Sequence, residues 1–198
     1  MQKTLLNFWF GSLTGPETFN RDRYDLWFKN GRAYDETIRE HFGNLWRQAE
    51  AGDLDDWAET PQGRLALILL LDQAPRHIHR GTTAAFAQDY RAQALTLAGM
   101  AQGHDRELWP IQRLFFYLPL EHAEDLALQE QSVIAFTQLR NEAPMTLKED
   151  FDGFLDYARR HHEVIAHFGR FPDLNVILGR DSTPEELAFL KEPGSSFL

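Results

Sequence analysis

The chain has 198 residues, 43% of them hydrophobic, with no cysteine and a net charge of −10. This length and composition predict one domain, residues 1–198, with a sizeable core, and they exclude a disordered chain. Without cysteine, disulfides, thiolate metal sites and cysteine nucleophiles are impossible. The negative charge opposes contact with a phosphate backbone, so we expect no nucleic-acid partner.

The apolar stretches are too short for a membrane helix. The longest uninterrupted run, residues 65–71, is far below the roughly 20 residues that a spanning helix needs. The N-terminus carries a single lysine and lacks a small-residue cleavage site, unlike a signal peptide. These features predict a cytoplasmic protein without a membrane partner, present as a monomer or a homodimer.

Helical periodicity runs along the chain, whereas strand patterns are almost absent. Apolar residues spaced by three and four predict a helix over about residues 35–51, which ends near Gly52. Thr60 followed by Pro61 is typical of a helix start, since threonine can cap the first turn and proline is tolerated in it. This start predicts a buried helix through residue 71.

The middle of the chain predicts three further helices. Thr82 or Thr83 can cap the first, and its apolar residues at helical spacing are Phe86, Tyr90, Ala94 and Leu97. The second covers residues 108–118 and bends or ends at Pro119, which has no amide hydrogen to donate. The third is a long helix over residues 121–139.

The last part of the chain predicts two helices with clear ends. The first stops at Gly169 and carries an apolar stripe of Leu147, Phe151, Phe154, Ala158 and Ile165. Thr183 and Pro184, followed by two glutamates, indicate the start of a short last helix. About eight helices joined by short loops predict an all-α fold of stacked antiparallel pairs, with a compact bundle as the alternative.

Two uninterrupted apolar helical runs each end in a cluster of charged and amide groups. The first, residues 65–71, leads into Asp72 and Gln73, and the second, residues 114–120, leads into Glu121. A helix that is apolar on all sides lies inside a protein, so these polar groups begin close to low-dielectric surroundings. We therefore expect the two clusters to converge on a candidate functional site.

His122 is the first candidate for chemistry in this site. Within the predicted helix it shares an inward stripe with Gln129. Oriented by Asp125, it could act as a general acid or base, and Glu121 is the third catalytic candidate. In the structural alternative, His122 and Gln129 are core polar groups satisfied by hydrogen bonds. A divalent metal is a further alternative, but the spacing of these side chains matches no dedicated metal motif, so we predict none.

Arginine side chains make up the rest of the candidate site. Arg76 follows Asp72 at ion-pair spacing, but Pro75 disfavours helical geometry before it and predicts a turn. Together with Arg80, Arg76 forms either a structural clamp on the carboxylate or a receptor for an anionic ligand.

A third polar cluster, residues 167–180, follows the helix that ends at Gly169. It reads as a loop held on the core by Phe168 and Phe171, with Arg170 between them. On the preceding helix, the two adjacent histidines are predicted to be surface residues; they are His161 and His162.

Short runs spread over nearly the whole chain form a specific pattern. They are Phe8-Trp9-Phe10, Trp27-Phe28, Leu69-Leu70-Leu71-Asp72-Gln73, Pro75-Arg76, Arg80-Gly81, Phe116-Tyr117-Leu118-Pro119-Leu120-Glu121-His122, Glu124-Asp125, Gln129, Phe168-Gly169-Arg170-Phe171-Pro172 and Leu178-Gly179-Arg180. This pattern resembles the bacterial family catalogued as domain of unknown function 924. The resemblance implies an all-α fold similar to tetratricopeptide-type helical stacks and no established activity. The chain departs from the family pattern directly after Phe171-Pro172. The family pattern has His-Arg at this place, whereas this chain has Asp173-Leu174.

The leading hypothesis is a polar pocket that binds a small polar or anionic molecule. Its predicted residues are Asp72, Gln73, Arg76, Arg80, Arg113, Glu121, His122, Asp125, Gln129 and Arg170. If the pocket is catalytic, His122 is the acid or base and Asp125 orients it, in a reaction most consistent with hydrolysis. No phosphate-binding loop or nucleophile elbow is present, so no cofactor is predicted. The alternative is a protein-binding helical scaffold whose buried ions fix helix packing.

Overall fold

A computed structural model describes residues 1–197 as ten α-helical segments without a β-strand. The segments are α1 (Gln2–Phe10), α2 (Asp35–Ala51), α3 (Pro61–Ile68), α4 (Ala74–Ile78), α5 (Asp89–Gln102), α6 (Pro110–Glu121), α7 (Leu126–Glu142), α8 (Lys148–Phe168), α9 (Asn175–Leu178) and α10 (Pro184–Phe189). The predicted all-α fold is confirmed. None of the helices in this described part of the chain is long and apolar enough to cross a membrane.

The helix ends predicted at Gly52, Thr60 and Thr183 are confirmed, whereas Thr82 and Thr83 do not cap α5, which begins at Asp89. α2 ends at Gly52, whose φ of 86° is a left-handed conformation that glycine adopts without strain. Thr60 caps α3 by accepting a hydrogen bond from the Gly63 amide at 3.2 Å. Thr183 opens α10 with a capping box, in which the Glu186 carboxylate accepts a hydrogen bond from the Thr183 amide at 2.7 Å.

Pro75 does not turn the chain and Pro119 does not end its helix. A π-helical segment, Leu69–Gln73, connects α3 to α4. Pro75 consequently falls in the first turn of α4, where its missing amide hydrogen is tolerated, and the predicted turn there is wrong. Pro119 lies inside α6. Burial of that whole helix outweighs the destabilisation of about 3 kcal/mol that an internal proline brings.

The predicted helix over residues 121–139 starts later than expected, because α6 ends at Glu121 and α7 begins at Leu126. α6 and α7 are separated by a short link, and Asp125 at the end of the link is the N-cap of α7. Its carboxylate accepts a hydrogen bond from the Leu128 amide at 3.0 Å. His122 therefore lies before α7 and does not share a helical stripe with Gln129.

The helix expected after Thr82 also differs from its prediction. A 3₁₀ segment, Thr83–Phe86, precedes α5, and the buried residues of α5 are Ala92, Thr96 and Gly99. The predicted apolar face is wrong at Tyr90, which is exposed. Small residues on the buried face allow close packing, and the Thr96 hydroxyl donates a hydrogen bond to a backbone carbonyl of α6 at 2.9 Å.

Helices α6, α7 and α8 are antiparallel neighbours. The end of α6 meets the start of α7, where the Gln129 side-chain amide donates to the Glu121 carbonyl at 2.6 Å. The start of α6 meets the end of α7 through Arg113 and Glu142, which are joined at 2.6 Å. Lys148, at the start of α8, donates to two carbonyls near the end of α7. This arrangement brings the polar end of α6 next to both neighbours.

A smaller apolar cluster near the C-terminus joins α8 to the segments that follow it. Its buried residues are Val164, Ile165 and Phe171, and Phe168, Leu174, Phe189 and Phe197 pack against them. Phe168 and Phe171 therefore pack as predicted against apolar residues, but in this separate cluster and not on the main core, and the segment predicted as a loop contains α9. Arg180 ties the loop to the link between α6 and α7 through an ion pair with Glu124 at 2.6 Å.

Candidate functional site

The two polar clusters converge, as the sequence predicts. Asp72 lies near the end of the π-helical segment, and His122 is the C-cap of α6. The Asp72 Oδ1 and His122 Nδ1 atoms are 2.7 Å apart. The Asp72 side chain is 1% exposed and the His122 side chain is 19% exposed. The result is a carboxylate–imidazole dyad with its acid inside the protein and its base at the surface.

Asp72 is held as an anion by its neighbours. Burial by itself would raise the pKa of this carboxyl, but Arg76, His122 and Gln73 together bring the pKa below its ordinary value. The Arg76 guanidinium is 3.3 Å from the carboxylate, and the Gln73 side-chain amide donates to it at 2.6 Å. A buried carboxylate with three such partners is both oriented and kept charged.

Arg76 is already engaged by protein groups. Its guanidinium donates to both carboxylate oxygens of Asp89, each at 2.9 Å, and to the Asp72 carbonyl at 2.5 Å. It also lies over the Phe86 ring, 5.3 Å from the ring centre. The two alternatives for Arg76 were a structural clamp and a receptor for an anionic ligand. The geometry therefore forms the structural clamp.

The hydrogen bond to Asp72 fixes the state of the His122 ring. Because a carboxylate can only accept, Nδ1 carries the hydrogen and the neutral ring has an unprotonated Nε2. Within residues 1–197, Nε2 has no hydrogen-bond partner. This nitrogen can accept a proton, and the carboxylate behind it stabilises the imidazolium that would result.

Glu121 adds a neutral acid beside the dyad. Burial, together with the nearby charge of Asp72, raises the pKa of Glu121 to about 8. The carboxyl group is therefore protonated at neutral pH. Its Oε1 atom lies 3.6 Å from Nδ1 of His161 on α8.

His161 is part of this site, and its predicted place at the surface is wrong. The residue is 3% exposed, and its Nδ1 donates to the Tyr157 carbonyl at 2.9 Å. Burial lowers the pKa of His161 to about 3, so the ring is neutral. A signal was available, because residue 161 falls at helical spacing within the apolar stripe that includes Ala158 and Ile165.

Two predicted site residues near the dyad have structural contacts. Asp125 caps α7 and does not bond to His122, so its assignment as the orienting carboxylate is corrected to Asp72. The Gln129 side-chain amide donates to the carbonyls of Glu121 and Ala123, at 2.6 Å and 2.9 Å. It thereby fixes the link between α6 and α7.

Three predicted arginines are not brought to the dyad. Arg80 pairs with Asp35 at 2.6 Å, Arg113 pairs with Glu142 at 2.6 Å, and Arg170 pairs with Glu186 at 2.6 Å. None of the three forms a hydrogen bond or ion pair with Asp72 or His122. Of the ten residues predicted to line a pocket, the structure therefore brings Gln73, Arg76 and Glu121 to the dyad, with Gln129 next to them.

The structure offers no preformed metal centre in the part of the chain that it describes. Among residues 1–197, no group of three or more histidine, aspartate or glutamate side chains is placed to hold a metal ion. The three residues of the metal alternative have different surroundings: His122 bonds to Asp72, Glu121 is buried beside His161, and Asp125 caps α7.

Comparison with known proteins places the chain in a family. The model of the family described as bacterial protein of unknown function (DUF924) matches residues 5–194. The chain belongs to this family. It is also similar to a solved structure, the protein of unknown function ATU0120 from Agrobacterium tumefaciens, with 33% identity, a TM-score of 0.80 and coverage of 96% of each chain. No curated protein matches the chain.

Proposed function

We propose that the Asp72–His122 dyad is the site of a small polar ligand and that His122 acts as a general base in a hydrolytic reaction. One observation carries this proposal: Nδ1 of His122 is held by a buried carboxylate at 2.7 Å, while Nε2 has no partner within the described residues. An imidazole supported in this way has one tautomer and one orientation, and its imidazolium form is stabilised. General-base catalysis needs these three properties.

In the proposed reaction, His122 Nε2 removes a proton from a water molecule while the water oxygen forms a bond to an electrophilic carbon of the ligand. Asp72 stays ionised and stabilises the imidazolium. The proton then passes from Nε2 to the leaving group as the bond between carbon and leaving group breaks. Glu121, a neutral carboxyl near the dyad, is the group that could donate a hydrogen bond to developing negative charge.

The charges around the dyad favour a neutral polar ligand over an anion. Arg76 is the cation next to Asp72, and it already binds two carboxylates. Arg80, the second predicted anion contact, is engaged by Asp35. An anionic ligand would have to compete with these carboxylates, whereas a neutral ligand needs only Nε2 and a hydrogen-bond donor.

The proposal is tested by a thermal-shift panel of small neutral and anionic molecules on the wild-type protein and on His122→Ala. A ligand at about 100 times its Kd stabilises the folded state by about 2.7 kcal/mol, which is readily measured. We expect at least one neutral compound to raise Tm for the wild type and not for His122→Ala. His41→Ala, which changes an exposed histidine on α2, is the matched control and retains the shift. A shift that persists in His122→Ala would contradict the proposal.

A protein-binding scaffold is the second candidate function. It is favoured by the antiparallel neighbours α6, α7 and α8, and by ion pairs such as Arg113 with Glu142 that join helices. On this alternative the resemblance to tetratricopeptide-type stacks carries the function, and the dyad serves packing. A panel in which no compound shifts Tm, with His122→Ala less stable, would favour it. The cytoplasmic location, the single domain and the monomer or homodimer state stay predictions of the sequence.

A further inference from the structure

Residues near the C-terminus cover His161. The C-terminal strap, residues 193–197, lies across α8, and the Phe197 ring stacks on the His161 ring with centres 3.8 Å apart and an interplanar angle of 27°. Tyr157 and Phe171 meet the Phe197 ring edge-on at 5.6 Å and 5.9 Å. Phe197 therefore seals His161 within a small aromatic box.

A few contacts hold the strap in place. The Arg160 guanidinium donates to the Gly194 carbonyl at 2.6 Å and lies 5.8 Å from the centre of the Phe197 ring. The Asp173 carboxylate accepts hydrogen bonds from the Phe197 amide at 2.8 Å and from the Ser196 hydroxyl at 3.2 Å. Gly194 has a φ of 78°, which suits glycine. Side chains of α8 and of the segment that follows it thus anchor the strap.

The groups beneath the strap are polar and complementary. His161 donates through Nδ1 to the Tyr157 carbonyl, which leaves Nε2 as an acceptor. Within the described residues, Nε2 of His161 and the Glu121 carboxyl form no hydrogen bond. On the buried face of α7, Gln129 Oε1 and Ser132 Oγ are also buried without a partner among those residues. Buried polar atoms are normally satisfied, so the two unpaired oxygens on α7 indicate a place for a bound polar molecule near Glu121, to whose carbonyl Gln129 donates.

The strap has open space on its other side. A cleft of about 440 Å³ lies between α8 and the C-terminal residues, lined in part by Arg160, His167, Phe189 and Gly194. Phe197 also lines this cleft, so open space adjoins the ring outside the aromatic box.

We propose that the C-terminal strap is a removable lid, and that it closes an inner subsite formed by His161 and Glu121 behind the dyad. This inference deepens the proposed function, on which it rests. The subsite takes a small neutral group that both donates and accepts hydrogen bonds, such as a carboxamide or an alcohol. His161 Nε2 accepts from this group, and the carboxyl of Glu121 donates to it.

Modification of individual histidines by diethyl pyrocarbonate tests this proposal. The reagent acylates unprotonated imidazole nitrogen, and mass spectrometry of peptides gives a rate for each histidine. In the wild type we expect His161 to react much more slowly than His167, which is exposed. Phe197→Ala removes the stacked ring, and we expect it to raise the His161 rate about twofold to tenfold, the range that corresponds to loss of one aromatic pair.

A second variant and a control keep the test decisive. Gly194→Ala disturbs the strap by another route, because a Cβ there lies 2.6 Å from Arg160 Nη2 on a backbone with positive φ. It too should raise the His161 rate. Val176→Ala, at an exposed site on α9, should not. Circular dichroism of each variant identifies loss of fold, and rates are compared only for folded variants. Unchanged His161 rates in both strap variants, or a fast rate in the wild type, would overturn the lid.

The ligand class is tested with acetamide as the probe. In Phe197→Ala, acetamide should slow modification of His161 and leave the rate of His167 unchanged. Equal rates with and without acetamide would overturn the inner subsite. The proposed function has a separate readout, since it depends on the thermal shifts of His122→Ala. A failure of the strap experiment therefore leaves the result at His122 unaffected, and the two failures are distinguishable.

Discussion

Glu121→Gln should stabilise the protein increasingly as the pH rises. Glutamine keeps the size of the glutamate side chain and stays neutral at every pH. In the folded protein the pKa of Glu121 is raised to about 8 from an ordinary value of 4.5, by burial and by Asp72. Between these two pH values the unfolded chain loses the carboxyl proton and the folded chain retains it. Folded wild-type protein therefore loses stability as the pH rises through this window, and the variant does not.

The magnitude follows from the linkage between protonation and folding. Each pKa unit corresponds to about 1.4 kcal/mol. The quantity to compare is the free energy of unfolding of the variant minus that of the wild type. This difference should be about 3 kcal/mol larger at pH 7 than at pH 4.5. The difference should become constant above pH 8. His161, whose pKa is lowered to about 3, adds stability that is lost as the pH falls below 6.5. This contribution is the same in both proteins and cancels in the difference.

Urea unfolding at a series of pH values from 4.5 to 8.5 measures this difference. Glu130→Gln is the matched control, because Glu130 is an exposed glutamate on α7 and its replacement should change little. A difference between Glu121→Gln and wild type that does not vary with pH would refute the reasoning, since Glu121 would then ionise alike in the folded and unfolded states.

Three further changes test the account. Asp72→Asn removes the buried charge that pairs with Arg76 and should destabilise the fold by about 3–5 kcal/mol in urea unfolding. Gly99→Ala places a Cβ 2.5 Å from the Phe116 ring and should lower the free energy of unfolding by about 1–3 kcal/mol. Gly153→Ala is the comparison on α8, where a Cβ has no other atom within 4 Å. It should raise the free energy of unfolding by about 0.5–1 kcal/mol. Thr60→Ala removes the cap of α3 and should lower stability by about 1 kcal/mol.

Each of these changes can fail in a specific way. A near-neutral Asp72→Asn would show that the carboxylate is exposed or unpaired. Equal effects of alanine at Gly99 and Gly153 would contradict the close contact between α5 and α6. A Thr60→Ala protein as stable as the wild type would mean that the amide of Gly63 finds another acceptor, such as water.

Helix ends could be predicted from the sequence because their causes are local. Gly52 and Gly169 stop α2 and α8 with φ values of 86° and 70°, and glycine is the residue that accepts such angles. Thr60 and Thr183 cap helices through bonds to amides three residues away. Neighbouring residues supply everything that these features need, so the pattern of a few letters is sufficient.

The partner of His122 could not be predicted in the same way. The spacing of three residues favours Asp125 as the carboxylate that orients His122. The residue that binds Nδ1 is instead Asp72, which is 50 residues away in the sequence. The sequence indicated that both clusters end buried runs, and therefore that they could meet. It contained no information on which carboxylate would face the ring, because that depends on how the π-helical segment Leu69–Gln73 packs against the end of α6.

Tertiary packing also overrides the local preference of Pro119. Proline normally ends a helix, yet α6 continues to Glu121. One turn less of α6 would alter the position of both Glu121 and His122. Packing similarly decided His161, whose charged neighbours suggested the surface, although its spacing along α8 fits the buried stripe.

The state of the His122 ring tests the central claim most directly. Nitrogen-15 NMR of the imidazole distinguishes a protonated from an unprotonated ring nitrogen. For the neutral ring of the wild-type protein we predict a protonated Nδ1, donated to Asp72, and an unprotonated Nε2 open to a ligand; in Asp72→Asn this preference should weaken. A wild-type His122 with the hydrogen on Nε2, or with the two tautomers mixed as in a free peptide, would contradict the account.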